Sequence, residues 1–216
     1  MNQIDHQALR TNFLKADNAL KNAGLSLIDE LVKDTQIIGK TIPKDETLHF
    51  PRDDVIDSQT GYQYFLHRHS SEYAEDSLHI HFFKRWRPPE LNLPAGETIP
   101  THLAALEVSS DGAALGWFTV NQWVVGDYWQ MAEETIALFR HWGSTNPDLG
   151  RGDSVNPICH EWLVALVQLH LCGIIKELLQ ERDRKLDAMV DQNPNMNVLE
   201  DRTIEIFGYK SIQQVI

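Results

Sequence analysis

Cysteine is scarce in this chain, with two residues, Cys159 and Cys172, in 216. Both fall on one expected helix, where thirteen steps of ~100° set them about 140° apart. Neither a disulfide framework nor a thiolate metal site is available from such a pair. Apolar runs are short, and none approaches the roughly 20 residues that cross a bilayer. The start, MNQIDHQALR, has no basic stretch followed by an apolar one, which a secretory leader requires. Basic residues are few as well, 19 Lys and Arg against 31 Asp and Glu, for a formal charge of -12. That charge repels phosphate backbones and anionic headgroups, so neither nucleic acid nor membrane is an expected partner. Nucleotide and serine-hydrolase signatures are missing too. Gly150-Arg-Gly152 lacks a third glycine, no phosphate loop ends in Gly-Lys-Ser/Thr, and no Gly-x-Ser-x-Gly elbow occurs. These absences point to a cytoplasmic protein in a reducing compartment.

What is present is an ordinary globular balance, 42% hydrophobic and 23% charged, in a chain long enough to bury roughly 70% of its unfolded surface. From Ile4 to about Val32, apolar residues recur at three- and four-residue steps, the spacing of one helix face, with Gly24 and Ser26 able to split the segment. Short apolar runs follow, read as strands at 62–69, 78–86, 101–109 and 113–121. Ser110-Asp111-Gly112 joins the last two as a tight turn. Asp127-Tyr-Trp-Gln130 has the spacing of a capping box for a helix to about Trp142. Asn156-Pro157 opens a second helix that runs toward Gln192, and 203–207 offers an edge strand. The expected fold is one α+β domain over 1–216, with a small antiparallel sheet at about 48–122 packed by N-terminal and C-terminal helices.

Four of the ten histidines fall within fifteen residues, as His67-Arg-His69 and His79-Ile-His81. Residues two apart on a strand share a face about 6.6 Å apart, so each pair points two imidazoles one way. An antiparallel hairpin pairing His69 with His79 also pairs His67 with His81 and puts all four rings on one face. Facing Cβ atoms about 5 Å apart let such rings converge on an ion with bonds of about 2.1 Å. Glu72, in the connecting loop, is a candidate ligand or general base, and His102, opening the next strand, a candidate ligand at the rim. Imidazole with carboxylate suits a divalent ion, with Fe(II) and Zn foremost. Asn121 is the polar residue near the aromatic group Trp117, Phe118, Trp123, Tyr128 and Trp129, and a candidate catalytic amide. His160-Glu161 lacks the second histidine that a zinc-protease helix needs, because Val164 stands in its place.

Gly61-x5-His67-x-His69-x2-Glu72 resembles the first metal motif of the cupin superfamily, which implies His67, His69, Glu72 and His102 as a ligand set. The second cupin motif departs, since His102 comes six residues after Gly96 in Pro94-Ala-Gly96 rather than three. A wider resemblance, carried by Asp54-Val-Ile-Asp57, Thr60-Gly61, the two His-x-His pairs, Thr101-His102-Leu103, Asn121-x-Trp123 and Glu200-Asp201-Arg202, is to an uncharacterised bacterial protein family of unknown function.

The function expected on these grounds is that of a metal-dependent enzyme, an oxidoreductase with iron or, second, a hydrolase with zinc. Its substrate would be a small organic molecule or peptide. The alternative is a non-catalytic metal- or ligand-binding protein, or a partner subunit, with a homodimer or protein partner possible in either case.

Overall fold

The computed structural model describes residues 5–33, 35, 42–43, 45, 47–68, 78–143 and 155–212. It opens with α1 (His6–Ala23) and α2 (Leu27–Val32). Asp5 caps α1 by accepting from Ala8 N, and Ser26 caps α2 by accepting from Asp29 N. Between them Gly24 closes α1 at φ 62, a left-handed conformation that costs a residue without Cβ little. The split expected at Gly24 and Ser26 is therefore where the chain turns.

Six strands form one antiparallel sheet in chain order: β1 (Phe50–Ile56), β2 (Tyr62–Arg68), β3 (Leu78–Trp86), β4 (Ile99–Val108), β5 (Ala114–Val120) and β6 (Ile206–Ser211). This single meander is not a jelly roll, so the likeness to cupins does not extend to the fold. The β4–β5 turn is the one read at Ser110-Asp111-Gly112, closed by Ser109 N donating to Ala113 O, with Gly112 at φ 85. The edge strand expected at 203–207 lies later, at β6, and pairs with β5. β1 escaped the pattern reading. Its pairing jumps from Phe50 opposite Leu66 to Val55 opposite Tyr64, so the residues between bulge out and no alternation survives.

The β2–β3 register differs from the expectation by two residues. His67 stands opposite His79 and Phe65 opposite His81. This register sets Tyr64 against Phe82 and Leu66 against Ile80, whereas the expected one would have set buried Tyr64 against Lys84. Apolar pairing decides it, and because the slip is even, every side chain keeps its face.

After β5 come α3 (Gln122–Val125), α4 (Ala132–Phe139), α5 (Pro157–His170), a π-helical turn (Leu171–Ile175) and α6 (Lys176–Gln192). Asn156 caps α5 by accepting from Ile158 N, with Pro157 in its first turn, as the sequence indicates. The capping box at Asp127 does not form. Asp127 accepts instead from His102 N at 2.8 Å, and α4 begins five residues later, at Ala132. The segment Pro157–Gln192 is long and apolar enough to cross a membrane, contrary to the reading of short apolar runs. Its apolar window is 56% buried inside the structure, where it serves as a core helix.

The two faces of the sheet are unlike. On one, Tyr64, Leu66, Ile80, Phe82, Leu106 and Trp117 meet Leu31, Ile136, Phe139, Leu163, Val167 and Leu178 from the helices in one continuous core. Deleting a leucine from such a cluster costs about 2–5 kcal/mol, so this helix-covered face sets the position of the strands. The other face carries Phe65, His67, His79, His81, Phe83 and Phe118, with Val124 and Val125 of α3 packed beside Ala105 and Phe118. The expected α+β class, with helices from both ends of the chain on one antiparallel sheet, is the observed one.

Candidate metal centre

Alternation along β2 and β3 points His67, His79 and His81 away from the helices, and cross-strand pairing sets His67 directly against His79. The three rings form a triangle, with centroids 4.6 Å apart for His67 and His81, 5.9 Å for His67 and His79, and 6.4 Å for His79 and His81. One nitrogen from each lies within 4.8 Å of the other two. Ligands of a tetrahedral ion with bonds near 2.1 Å sit about 3.4 Å apart, so side-chain shifts of about an ångström close the triangle on an ion. All three are buried, at 6%, 7% and 2% exposure.

Aromatic neighbours hold the rings in place. Phe65 stacks on His81 at 5.5 Å and 16°, while Phe118 sets its edge to His79 at 4.7 Å and to His81 at 6.1 Å. Phe65 also stacks on Phe83 at 5.6 Å. These walls exclude water and lower the local dielectric, which strengthens the field of any bound charge.

His102 joins this face, though not as a member of the converging group. Its Nε2 lies 3.1 Å from His81 Nδ1. Burial, then the Arg182 charge and the neighbouring His67 imidazole, push the His102 imidazole down to about 3. Beside it burial raises the Asp127 carboxyl to about 6, opposed by the His102 amide and by Arg182. Of the other expected site residues, His69 and Glu72 lie outside the described residues. Asn121 is fully buried, but its Nδ2 donates to the carbonyls of Val198 (2.9 Å) and Ile204 (3.2 Å), and its Oδ1 accepts from Gln122 N (2.8 Å). Those bonds tie the end of β5 to the segment before β6.

Two neighbours of the triad were not anticipated. His49 stacks on Phe65 at 3.6 Å, with its ring 6.4 Å from that of His67. Its Nδ1 is 2.8 Å from Asp54 Oδ1, and Asp54 Oδ2 accepts from Gln63 Nε2 at 2.6 Å. Asp54 has φ 54, the one positive φ outside glycine among the described residues. No spacing in the sequence marks His49, which reaches the site through the β1 bulge. Glu107 stands opposite His79 on β4 and accepts a hydrogen bond from Tyr209. It is the one charged residue in Leu103-Ala-Ala-Leu-Glu-Val108, and that was a readable signal. His160 and His170 belong to the other face, where His160 Nδ1 lies 3.2 Å from the Tyr64 hydroxyl and His170 Nδ1 accepts from Trp117 Nε1 at 3.0 Å.

Compared with protein-family models, residues 6–212 match a domain of unknown function, DUF6969. No curated protein and no solved structure matches the chain. The match spans nearly all of the sequence, and the chain belongs to that family. The expectation of an uncharacterised family is met, and the comparisons lend no support to a cupin relationship.

Proposed function

We propose that this family member is a metal-dependent enzyme whose working group is a divalent transition ion held by His67, His79 and His81. The observation that carries the reading is the convergence of three buried imidazoles from paired strands to within 4.8 Å. Three neutral nitrogens suit Zn or Fe(II) and leave at least one coordination position for substrate or water. Such an ion supplies Lewis acidity with zinc, or oxygen chemistry with iron. The aromatic walls favour a small organic or peptide substrate, and the two unpaired cysteines accord with a reducing cytoplasmic setting.

Burial of all three histidines, none more than 7% exposed, favours a second reading in which the ion is bound but not used catalytically. The two readings divide on the open position. In the Co(II)-substituted protein, added azide shifts the visible spectrum when a position exchanges and leaves it unchanged when the site is closed.

The proposal is tested by purifying the untagged protein anaerobically and measuring its metals by plasma mass spectrometry, beside a His67→Ala/His79→Ala double variant. Near-stoichiometric iron or zinc in the native protein and none in the variant is the expected result. No metal in the native protein, even after reconstitution with Fe(II) and Zn, overturns the proposal.

A further inference from the structure

We infer that His102 is a positioning residue of this centre, accepting a hydrogen bond from His81 and so determining which nitrogen of His81 meets the ion. The inference rests on the reading of the triad as a metal site. Three features of the chain converge on it.

The first is an irregularity in β4. The β3–β4 pairing runs Phe82 opposite Ala104 and then Phe83 opposite His102, leaving Leu103 as an extra residue. Under strict alternation Leu103 would face the triad and His102 the helices. Instead Leu103 and Ala104, both fully buried, enter the helix-side core in succession, and His102 turns to the histidine face. A bulge that re-aims one side chain is a device often found beside functional sites.

The second is the anchor of the bulge. The His102 amide donates to Asp127 Oδ2 at 2.8 Å. Asp127 is only 8% exposed, and burying a carboxylate is costly without a counter-charge. The charge of Arg182 of α6, 4% exposed, favours the ionised carboxyl from nearby. Arg182 is itself fixed by the Gln130 carbonyl at 2.7 Å, by Asp183, and by the Trp129 ring 4.1 Å away. A buried carboxyl, with a buried guanidinium of α6 acting on it, is thus committed to the position of one backbone amide.

The third is the bond itself. His102 Nε2 and His81 Nδ1 are 3.1 Å apart. With the His102 proton on Nδ1, its Nε2 accepts, so His81 Nδ1–H donates and the lone pair of His81 Nε2 is directed to the ion. Ligand histidines characteristically give their second N–H to a fixed acceptor, which sets tautomer and ring orientation.

The test uses the full chain loaded with Co(II), comparing native protein, His102→Leu and His102→Gln. Leucine fills the volume without an acceptor, and glutamine restores one. Chelator competition gives the affinity, the visible spectrum reports the ligand field, and X-ray absorption counts the nitrogen ligands. We expect His102→Leu to bind ten- to hundred-fold more weakly with an altered spectrum and an unchanged count of histidine nitrogens. His102→Gln should recover part of the affinity. Asp127→Ala, which releases the bulge, should weaken binding in the same direction and serves if His102→Leu does not fold. Native affinity and spectrum in both His102→Leu and Asp127→Ala overturn the inference. Loss of one nitrogen ligand in His102→Leu also overturns it, by making His102 a ligand. Absence of metal from the native protein overturns the reading of the triad, and the inference falls with it.

Discussion

Lowering the pH from 7 to 5 should destabilise the protein through two histidines on the helix side of the sheet. Burial holds both His160 and His170 down at about 4, against an ordinary value of 6.5, with Asp57 opposing the shift at His160. A depressed histidine is neutral in the folded chain while the unfolded chain takes up a proton. Stability is therefore complete above pH 6.5 and is lost progressively as the pH falls toward 4. At pH 5 the linkage amounts to roughly 2 kcal/mol for each histidine, and below pH 4 to about 3 kcal/mol each. Urea titrations at pH 7 and 5 on the native protein and on His170→Gln measure it. Glutamine can still accept from Trp117 Nε1 but does not titrate. The variant should lose about 2 kcal/mol less than the native protein between the two pH values. An identical loss in both proteins would refute the argument that His170 is buried neutral.

Zinc at a hundred times its dissociation constant should stabilise the protein by about 2.7 kcal/mol and raise the melting temperature by about 5–10 °C. The His67→Ala/His79→Ala variant should show no such rise in a calorimetric scan. Gly61→Ala should cost roughly 2–4 kcal/mol in urea denaturation, because Gly61 has φ 78 and an added Cβ would collide with the Arg85 carbonyl. A cost under about 0.5 kcal/mol would contradict that geometry. Asn121→Ala, which removes a buried amide bonded to Val198, Ile204 and Gln122, should cost about 2–4 kcal/mol while leaving metal affinity unchanged. A weakened metal affinity in that variant would place Asn121 in the site after all.

The sequence carried the faces of the sheet better than its register. Two His-x-His pairs on neighbouring strands share a face under any even pairing. The slip of two residues therefore changed the partners of His67 and left His67, His79 and His81 together. The slip was set by Tyr64, Leu66, Phe82 and Ile80 on the opposite face, which the histidine pattern does not report. The break at Gly24 and Ser26 and the helix start at Asn156 were legible because turning and capping are local chemistry. Asp127 shows where local chemistry misleads, since its carboxylate serves a backbone amide of β4, distant in sequence. His102 was readable as a histidine near the cluster but not as the partner of His81, because the bulge at Leu103 has no sequence signature. His49 reaches Phe65 through the bulge in β1, a contact between segments that no spacing rule anticipates.

The central claim concerns coordination, and X-ray absorption at the zinc edge of the reconstituted protein tests it most directly. The account predicts at least three imidazole nitrogens at about 2.0–2.1 Å in the native protein and the loss of one in His81→Ala. A spectrum with fewer than three imidazoles, or one that His81→Ala leaves unchanged, would contradict it.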